Sequence, residues 1–174
     1  MDEVSLDLPM SPGADLLQKV ALFKTLGFEE TMALAGITHL EKKTEGVKIL
    51  EQDSLGSALY IIKEGKVAVR RNDAGTERQV AELSEGQLFG EMSLIEDQLV
   101  SADVVALTLV ELIVLPRRSF EKLLEKNPAL AAKIYRAFCR SLSDKLRKAN
   151  QKNFESSKSA GDHAKALGFP KGKA

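Results

Sequence analysis

Apolar positions along this chain change their spacing twice. Near the start they fall at helical intervals. Leu16, Leu17, Val20, Leu22 and Phe23 form one face of a helix that Asp15 is placed to cap. A second helix is expected over residues 29–35, acidic in its first turn and stopped by Gly36. From Gly46 the texture becomes that of strands. Short β-type runs at 47–50, 59–62, 66–69 and 79–83 are punctuated by glycines at 46, 56, 65, 75 and 86, and Asn72-Asp73-Ala74-Gly75 is a turn signal between two of them. Two further strands are expected at 103–107 and 110–115. Beyond Pro116 helical spacing returns. Ser119 is placed to cap a helix over 120–126, Asn127-Pro128 breaks it, and a longer helix is expected over 129–150.

Short strands at such regular spacing indicate a sandwich or barrel rather than alternating βαβ units. The expected fold is therefore mainly β with flanking helices. An eight-stranded β jelly roll is the economical closure, because it leaves few open edges. Residues 1–13, with Pro9, Pro12 and Gly13, read as a flexible lead. Residues 14–150 read as the domain, and 151–174, rich in Lys, Ser, Ala and Gly, as a disordered tail or a short linear motif. Ala166-Leu167-Gly168-Phe169-Pro170 is an apolar patch within that tail. On the long helix, Tyr135, Cys139, Leu142, Leu146 and Ala149 repeat at intervals of 4, 3, 4 and 3, a two-heptad seam with Phe138 beside it. Such a seam serves either a second copy of the chain, giving a homodimer, or packing across its own barrel.

Composition narrows the function classes. A chain of 174 residues with 44% hydrophobic residues can build one real core with appendages. Cys139 is the single cysteine, which excludes a disulfide framework within the chain and fits a reducing compartment. The opening MDEVSLDLPM lacks the basic and apolar regions of a secretory signal. The apolar run over 104–115 is interrupted by Thr108 and Glu111 and falls short of the ~20 residues a bilayer span needs. A cytoplasmic protein with no membrane partner is expected. Net charge is zero, yet residues 1–116 carry 10 Lys+Arg against 20 Asp+Glu and residues 117–174 carry 15 against 5. That asymmetry marks either a basic partner-binding end or a solvated helix face. Catalysis is not expected. His39 and His163 lie far apart, Cys139 has no paired histidine in view, and neither a nucleophile elbow nor a phosphate-binding P-loop is present.

The stretch that carries the most specific signal begins at Gly86 and reads GQLFGEMSLIEDQLVSADVVA. Phe89-Gly90-Glu91-Met92-Ser93-Leu94, followed after a short loop by Ser101-Ala102-Asp103-Val104, resembles the phosphate-binding cassette of the cyclic nucleotide-binding domain family. That family includes catabolite-activator-type regulators, regulatory subunits of cyclic-AMP-dependent kinase and cyclic-nucleotide-gated channels. The resemblance extends back to 51–62 and Gly65-Lys66-Val67, with Asp53-Ser54 where the family has Gly-Asp. It implies a β jelly roll in which N–H groups of the cassette turn hold the cyclic phosphate, Glu91 takes the ribose hydroxyl and an arginine clamps a phosphate oxygen. It also implies that the long helix forms the dimer contact.

At the arginine position this sequence has Val100, and there is no Lys or Arg between Phe89 and Pro116. Losing one partner of a buried charge pair costs about 2–5 kcal/mol, or roughly 30- to several-thousand-fold in affinity. The expected ligand site is Phe89, Gly90, Glu91, Met92, Ser93, Val100 and Ser101, binding cyclic AMP weakly. Lys66, Arg70, Arg71 or Arg78 on a neighbouring strand are the candidate replacements for the arginine. The expectation is a non-enzymatic regulatory module with an impaired pocket, acting through an unidentified protein partner. The alternatives are a working cyclic nucleotide sensor with a substitute cation and a site for a ligand without a phosphate. The 24 residues after Asn150 lack the apolar pattern of a helical DNA reader, so specific DNA binding is not expected.

Overall fold

The computed structural model describes residues 14–20, 22–92 and 98–166, the backbone alone at 148–149 and 152–166. In chain order the elements are α1 (Ala14–Lys19), α2 (Phe28–Ala35), β1 (His39–Lys43), β2 (Lys48–Leu50), β3 (Ala58–Glu64) and β4 (Lys66–Asp73). They continue with β5 (Thr76–Ser84), β6 (Leu88–Phe89), β7 (Asp103–Ala106), β8 (Val110–Pro116), α3 (Arg117–Lys126) and α4 (Pro128–Ala166). The strands form two four-stranded antiparallel sheets, β1-β8-β3-β6 and β2-β7-β4-β5. The architecture is the expected mainly-β jelly roll with helices on its flank.

Burial explains how the sequence sorts itself between the sheets. The first sheet is covered on both faces. Leu59, Ile61, Ile113 and Leu115 pack outward against Phe23, Leu34, Phe120, Ile134 and Phe138 of the helical layer. Tyr60, Ile62, Leu112 and Val114 point inward to meet Val67, Phe89, Val100 and Val104. This is why β3 and β8 read as near-continuous apolar runs. The second sheet has one covered face, and its edge strand β5 is exposed along nearly its whole length.

Two strands are not visible in the apolar pattern. β1, HLEKK, has one apolar residue and three of its five positions are exposed, and β6 has only two residues. Helix starts also differ from expectation. Asp15 lies inside the first turn of α1 rather than capping it, a position where a carboxylate still favours the helix. Ser119 is likewise inside α3, which begins at Arg117 immediately after extended Pro116. The Arg117 N–H is satisfied by the Ser57 carbonyl at 2.9 Å, so the turn into the helix needs no side-chain cap. Helix α4 continues to Ala166, past the expected end at Asn150. Its added stretch is rich in Lys, Ser and Ala, with Gly161 as its one strong helix-weakening residue. Residues 1–13 and 167–174, including most of the apolar patch of the tail, lie outside the described residues.

The start of α4 is held on the barrel. Leu130, Ile134 and Phe138 are buried in the helical layer. Lys133 donates to both oxygens of Glu30, at 2.7 and 2.9 Å, while Glu30 accepts the Gly27 N–H at the start of α2 at 2.8 Å. The Lys133 ammonium, then the Gly27 N–H, hold the Glu30 carboxyl below its ordinary value.

Candidate functional site

A cavity of about 760 Å³ opens between the second sheet, the segment from Gly86 to Met92 and the face of α4. Phe89, Gly90, Glu91, Met92, Val100 and Ser101 all line it, so the structure brings together six of the seven expected ligand residues. Ser93 lies outside the described residues.

The backbone around the cassette is fixed by the barrel itself. Gly90 has φ +81, and a Cβ there would stand 2.7 Å from the Ala58 carbonyl oxygen. What demands glycine is thus the neighbouring strand β3, not a close-lying ligand. The Phe89 ring stacks on Tyr60, with centroids 5.0 Å apart and planes 8° from parallel. Burial, then the Glu41 carboxylate, raises the Tyr60 hydroxyl above its ordinary value.

Val100 is pinned by the turn that precedes β3. Its carbonyl accepts the Asp53 N–H at 2.8 Å, and its N–H donates to the Ser54 carbonyl at 2.9 Å. Asp53 adopts φ 63, so it takes the left-handed conformation that glycine would supply in the family pattern. The Val100 side chain is 6% exposed and belongs to the inner core with Leu50, Phe89 and Val104. It presents methyl groups to the cavity where a phosphate clamp would have to stand.

None of the four cations expected to substitute lines the cavity. Three are paired with carboxylates of β4 and β5: Lys66 with Glu82 at 2.9 Å, Arg70 with Glu77 at 3.0 Å and Arg71 with Asp73 at 2.9 Å. Arg78 is exposed on β5, opposite Arg71 in the ladder. Lys66 and Arg70 alternate with Val67 and Val69 and so lie on the opposite face of β4, whereas Arg71 shares the Val69 face but sits at the exposed end of the hairpin and pairs with Asp73. Asp103, the acidic residue of the cassette that begins β7, does not line the cavity. Burial acts to raise its carboxyl, but the Lys48 ammonium at 2.8 Å and the Gln52 N–H at 2.6 Å prevail and hold it below its ordinary value.

The cavity's cations come from α4 instead. Arg140 and Lys145 line it, together with Ala137, Ser141 and Asp144. Lys145 donates to the Glu91 carboxylate, which is largely buried, joining residues 54 positions apart in sequence. The carboxylate that the resemblance assigns to a ribose hydroxyl is therefore already occupied by the protein's own ammonium group. The sequence carried a signal for this. Ile134, Phe138, Ser141 and Lys145 form one stripe at helical spacing, and the stripe turns from apolar to polar midway. A polar break in a core-facing stripe marks the place where a helix passes from packed core to a wet cavity.

The expected seam occupies a different flank. Tyr135, Leu142 and Leu146 are 49%, 40% and 62% exposed, and Cys139 is exposed beside them. Phe138, by contrast, is buried against the barrel. The seam residues therefore do not pack across their own barrel. Ala149 has no described side chain.

The family model described as cyclic nucleotide-binding domain matches residues 41–127. The chain belongs to the cyclic nucleotide-binding domain family. It is 35% identical over 124 residues to the cyclic AMP receptor protein of Thermus thermophilus, covering 71% of this chain and 57% of that one. It is 33% identical to the cAMP-dependent protein kinase type II regulatory subunit of Drosophila melanogaster, covering 63% of this chain and 29% of that one. The chain thus spans only part of these relatives. Among solved structures it resembles the regulatory subunit of a cAMP-independent protein kinase A from Trypanosoma brucei. The identity there is 28%, with a TM-score of 0.68, covering 82% of this chain and 50% of that one. That structure is of a triple mutant bound to cAMP, and one of its substitutions introduces an arginine. Among the described residues no three metal-ligating side chains converge, and no helix is long and apolar enough to cross a membrane.

Proposed function

We propose that this chain is a non-enzymatic, cytoplasmic regulatory module whose pocket holds cyclic nucleotides far more weakly than an arginine-bearing site, and whose output is a protein contact. The observation that carries this reading is Val100. It is buried in the inner core, held at both its N–H and its carbonyl, and offers no donor to a phosphate. The kinase regulatory subunit from Trypanosoma brucei supports it by analogy, being described as cAMP-independent and yet bound to cAMP in a mutant that gains an arginine. The exposed flank of Tyr135, Cys139, Leu142 and Leu146 is the contact surface we assign, with a second copy of the chain as its occupant, since the heptad spacing is that of a self-pairing helix.

A second reading has its own observation. Arg140 and Lys145 line the cavity, so a cyclic nucleotide sensor that draws its cation from α4 is the competing case. Calorimetric titration with cyclic AMP and cyclic GMP separates the two. Wild-type dissociation constants in the high-micromolar range or weaker are expected, with a gain of at least about tenfold in Val100→Arg, whose planar fork again reaches an equatorial oxygen. Wild-type affinity of about a micromolar or tighter would transfer the role to Arg140 and Lys145. A folded Val100→Arg protein with no gain would mean the pocket is closed to the ligand altogether.

A further inference from the structure

The two cations that α4 brings to the cavity are in different states. Lys145 is neutralised by Glu91. Arg140 makes no ion pair among the described residues, although it lines the cavity. The strands on the barrel side of the same cavity present Leu50, Val69, Leu83 and Val104, with Val100 beside them, while Gln87, Glu91 and Ser101 line it from the connecting segments. A volume of about 760 Å³ is that of a small-molecule site. The cavity is therefore polarised, with hydrocarbon on the strands and one uncommitted positive charge on the helix.

We propose that this cavity is a receptor site for an amphipathic organic monoanion, a carboxylate or sulfonate, whose apolar body lies on Val69, Leu83, Val100 and Val104 and whose charged group meets Arg140. This rests on the reading that the pocket is not built for a cyclic phosphate, and it names what the pocket takes instead. A guanidinium suits the position, because it is weakly hydrated, keeps its charge at any relevant pH and can hold a carboxylate with two parallel hydrogen bonds while its stem lies on apolar surface. One free cation matches one negative charge. The pairing of Lys145 with Glu91 shows the same helix wall already holding a carboxylate from the protein. Asp144, one turn beyond Arg140, also lines the cavity and opposes an anion; both side chains are exposed and both fields are screened, so what Arg140 offers is the direct two-point contact of its guanidinium with the anionic group. Among the described residues, a cationic ligand would find Glu91 already neutralised and Asp144 as the other carboxylate lining the cavity.

The test uses the full chain and two dyes of nearly the same shape, anilinonaphthalene sulfonate and its uncharged parent phenylnaphthylamine, titrated by fluorescence. Saturable binding of both at one site is expected. Val69→Phe and Ala81→Phe, which fill the cavity from adjacent strands, should each abolish it, with circular dichroism confirming the fold. Arg140→Gln should weaken the sulfonate about three- to tenfold and leave the neutral dye unchanged. Arg140→Lys should recover part of the loss, and Asp144→Asn should tighten the sulfonate slightly. Arg136→Gln, on an exposed part of α4 away from the cavity, should do nothing. The proposal is overturned if the sulfonate does not bind, if binding persists in the filled variants, or if Arg140→Gln affects both dyes alike or neither. If neither filled variant folds, the Arg140 comparison alone decides. Tight cyclic AMP binding in the calorimeter would defeat the proposed function independently, whereas failure of the dye test would leave that function standing and remove only the ligand class.

Discussion

The cavity has a barrel wall and a helix wall, and they are secured in different ways. On the barrel side, Leu50, Val69, Val100 and Val104 stand in or beside paired strands, and Val100 is also hydrogen-bonded to the turn before β3. On the helix side, α4 is anchored by Leu130, Ile134 and Phe138, and farther along it meets the cassette through Lys145 and Glu91. A substitution in the first wall changes its chemistry and leaves its geometry in place. The chemistry of the second depends on where the helix lies. Charge on the helix wall is thus conditional on the packing of the preceding turns of α4 against the barrel.

The strongest way to break this contrast is to remove the anchor. Phe138 is buried in the helical layer, and Phe138→Ala should cost about 3–5 kcal/mol of unfolding free energy. Urea denaturation followed by circular dichroism measures it. A loss below about 1 kcal/mol would mean that the ring is not what holds α4 to the barrel. The outer flank of the same helix should behave in the opposite manner. Leu142 is 40% exposed in the single chain, so Leu142→Asp should leave the folded subunit intact. If two copies pair along this flank, the variant should run as a monomer in light scattering where the wild type runs as a dimer. A monomeric wild type at high concentration, or an unchanged mass in the variant, removes the dimer from the account.

How far the sequence speaks for each wall follows from the same difference. The barrel wall was legible because glycine punctuation and β-type runs are local signals, and the cassette residues lie close together in the chain. β1 escaped because HLEKK pairs with β8 at the edge of its sheet and has almost no apolar alternation. The cations of β4 and β5 are near the cassette in the same sheet, but Arg70 and Arg71 are paired with Glu77 and Asp73 and neither lines the cavity. Arg140 and Lys145 could not be placed from local pattern alone. Helical spacing fixes which residues share a stripe, yet not which surface of the barrel that stripe covers. The seam is the reverse case. Its spacing was plain in the sequence, and only the burial of Phe138 beside exposed Tyr135, Leu142 and Leu146 shows that it points away from the barrel.

A smaller effect tests the far contact of the helix wall. Lys145→Ala removes the ammonium group from Glu91. Lys145 is half exposed, and a pair of this kind is worth about 0.2–1 kcal/mol, so global stability should fall by no more than that. The informative readout is local. Amide hydrogen exchange over residues 139–151 should accelerate while β3 and β8 keep their protection. Unchanged exchange would mean that α4 needs no support from the cassette.

The smallest expected effect concerns the near contact, and it is a dependence on pH. Lys133 and the Gly27 N–H favour the charged form of Glu30, so its carboxyl in the folded protein lies below the ordinary value of 4.5. A group depressed on folding contributes stability above its unfolded value, and that contribution is lost as pH falls through the folded value. Glu30→Gln should therefore be less stable than wild type near neutral pH, by a few tenths of a kcal/mol to about 1 kcal/mol, because the side chain is partly exposed and the pair screened. The difference should shrink below the ordinary carboxyl value and vanish once wild-type Glu30 is itself protonated. Thermal unfolding of both proteins from neutral pH down into the acid range measures the gap. A gap that stays constant with pH would show that the glutamine loses packing or geometry at the start of α2 rather than charge. The link between α2 and α4 would then owe nothing to the ion pair.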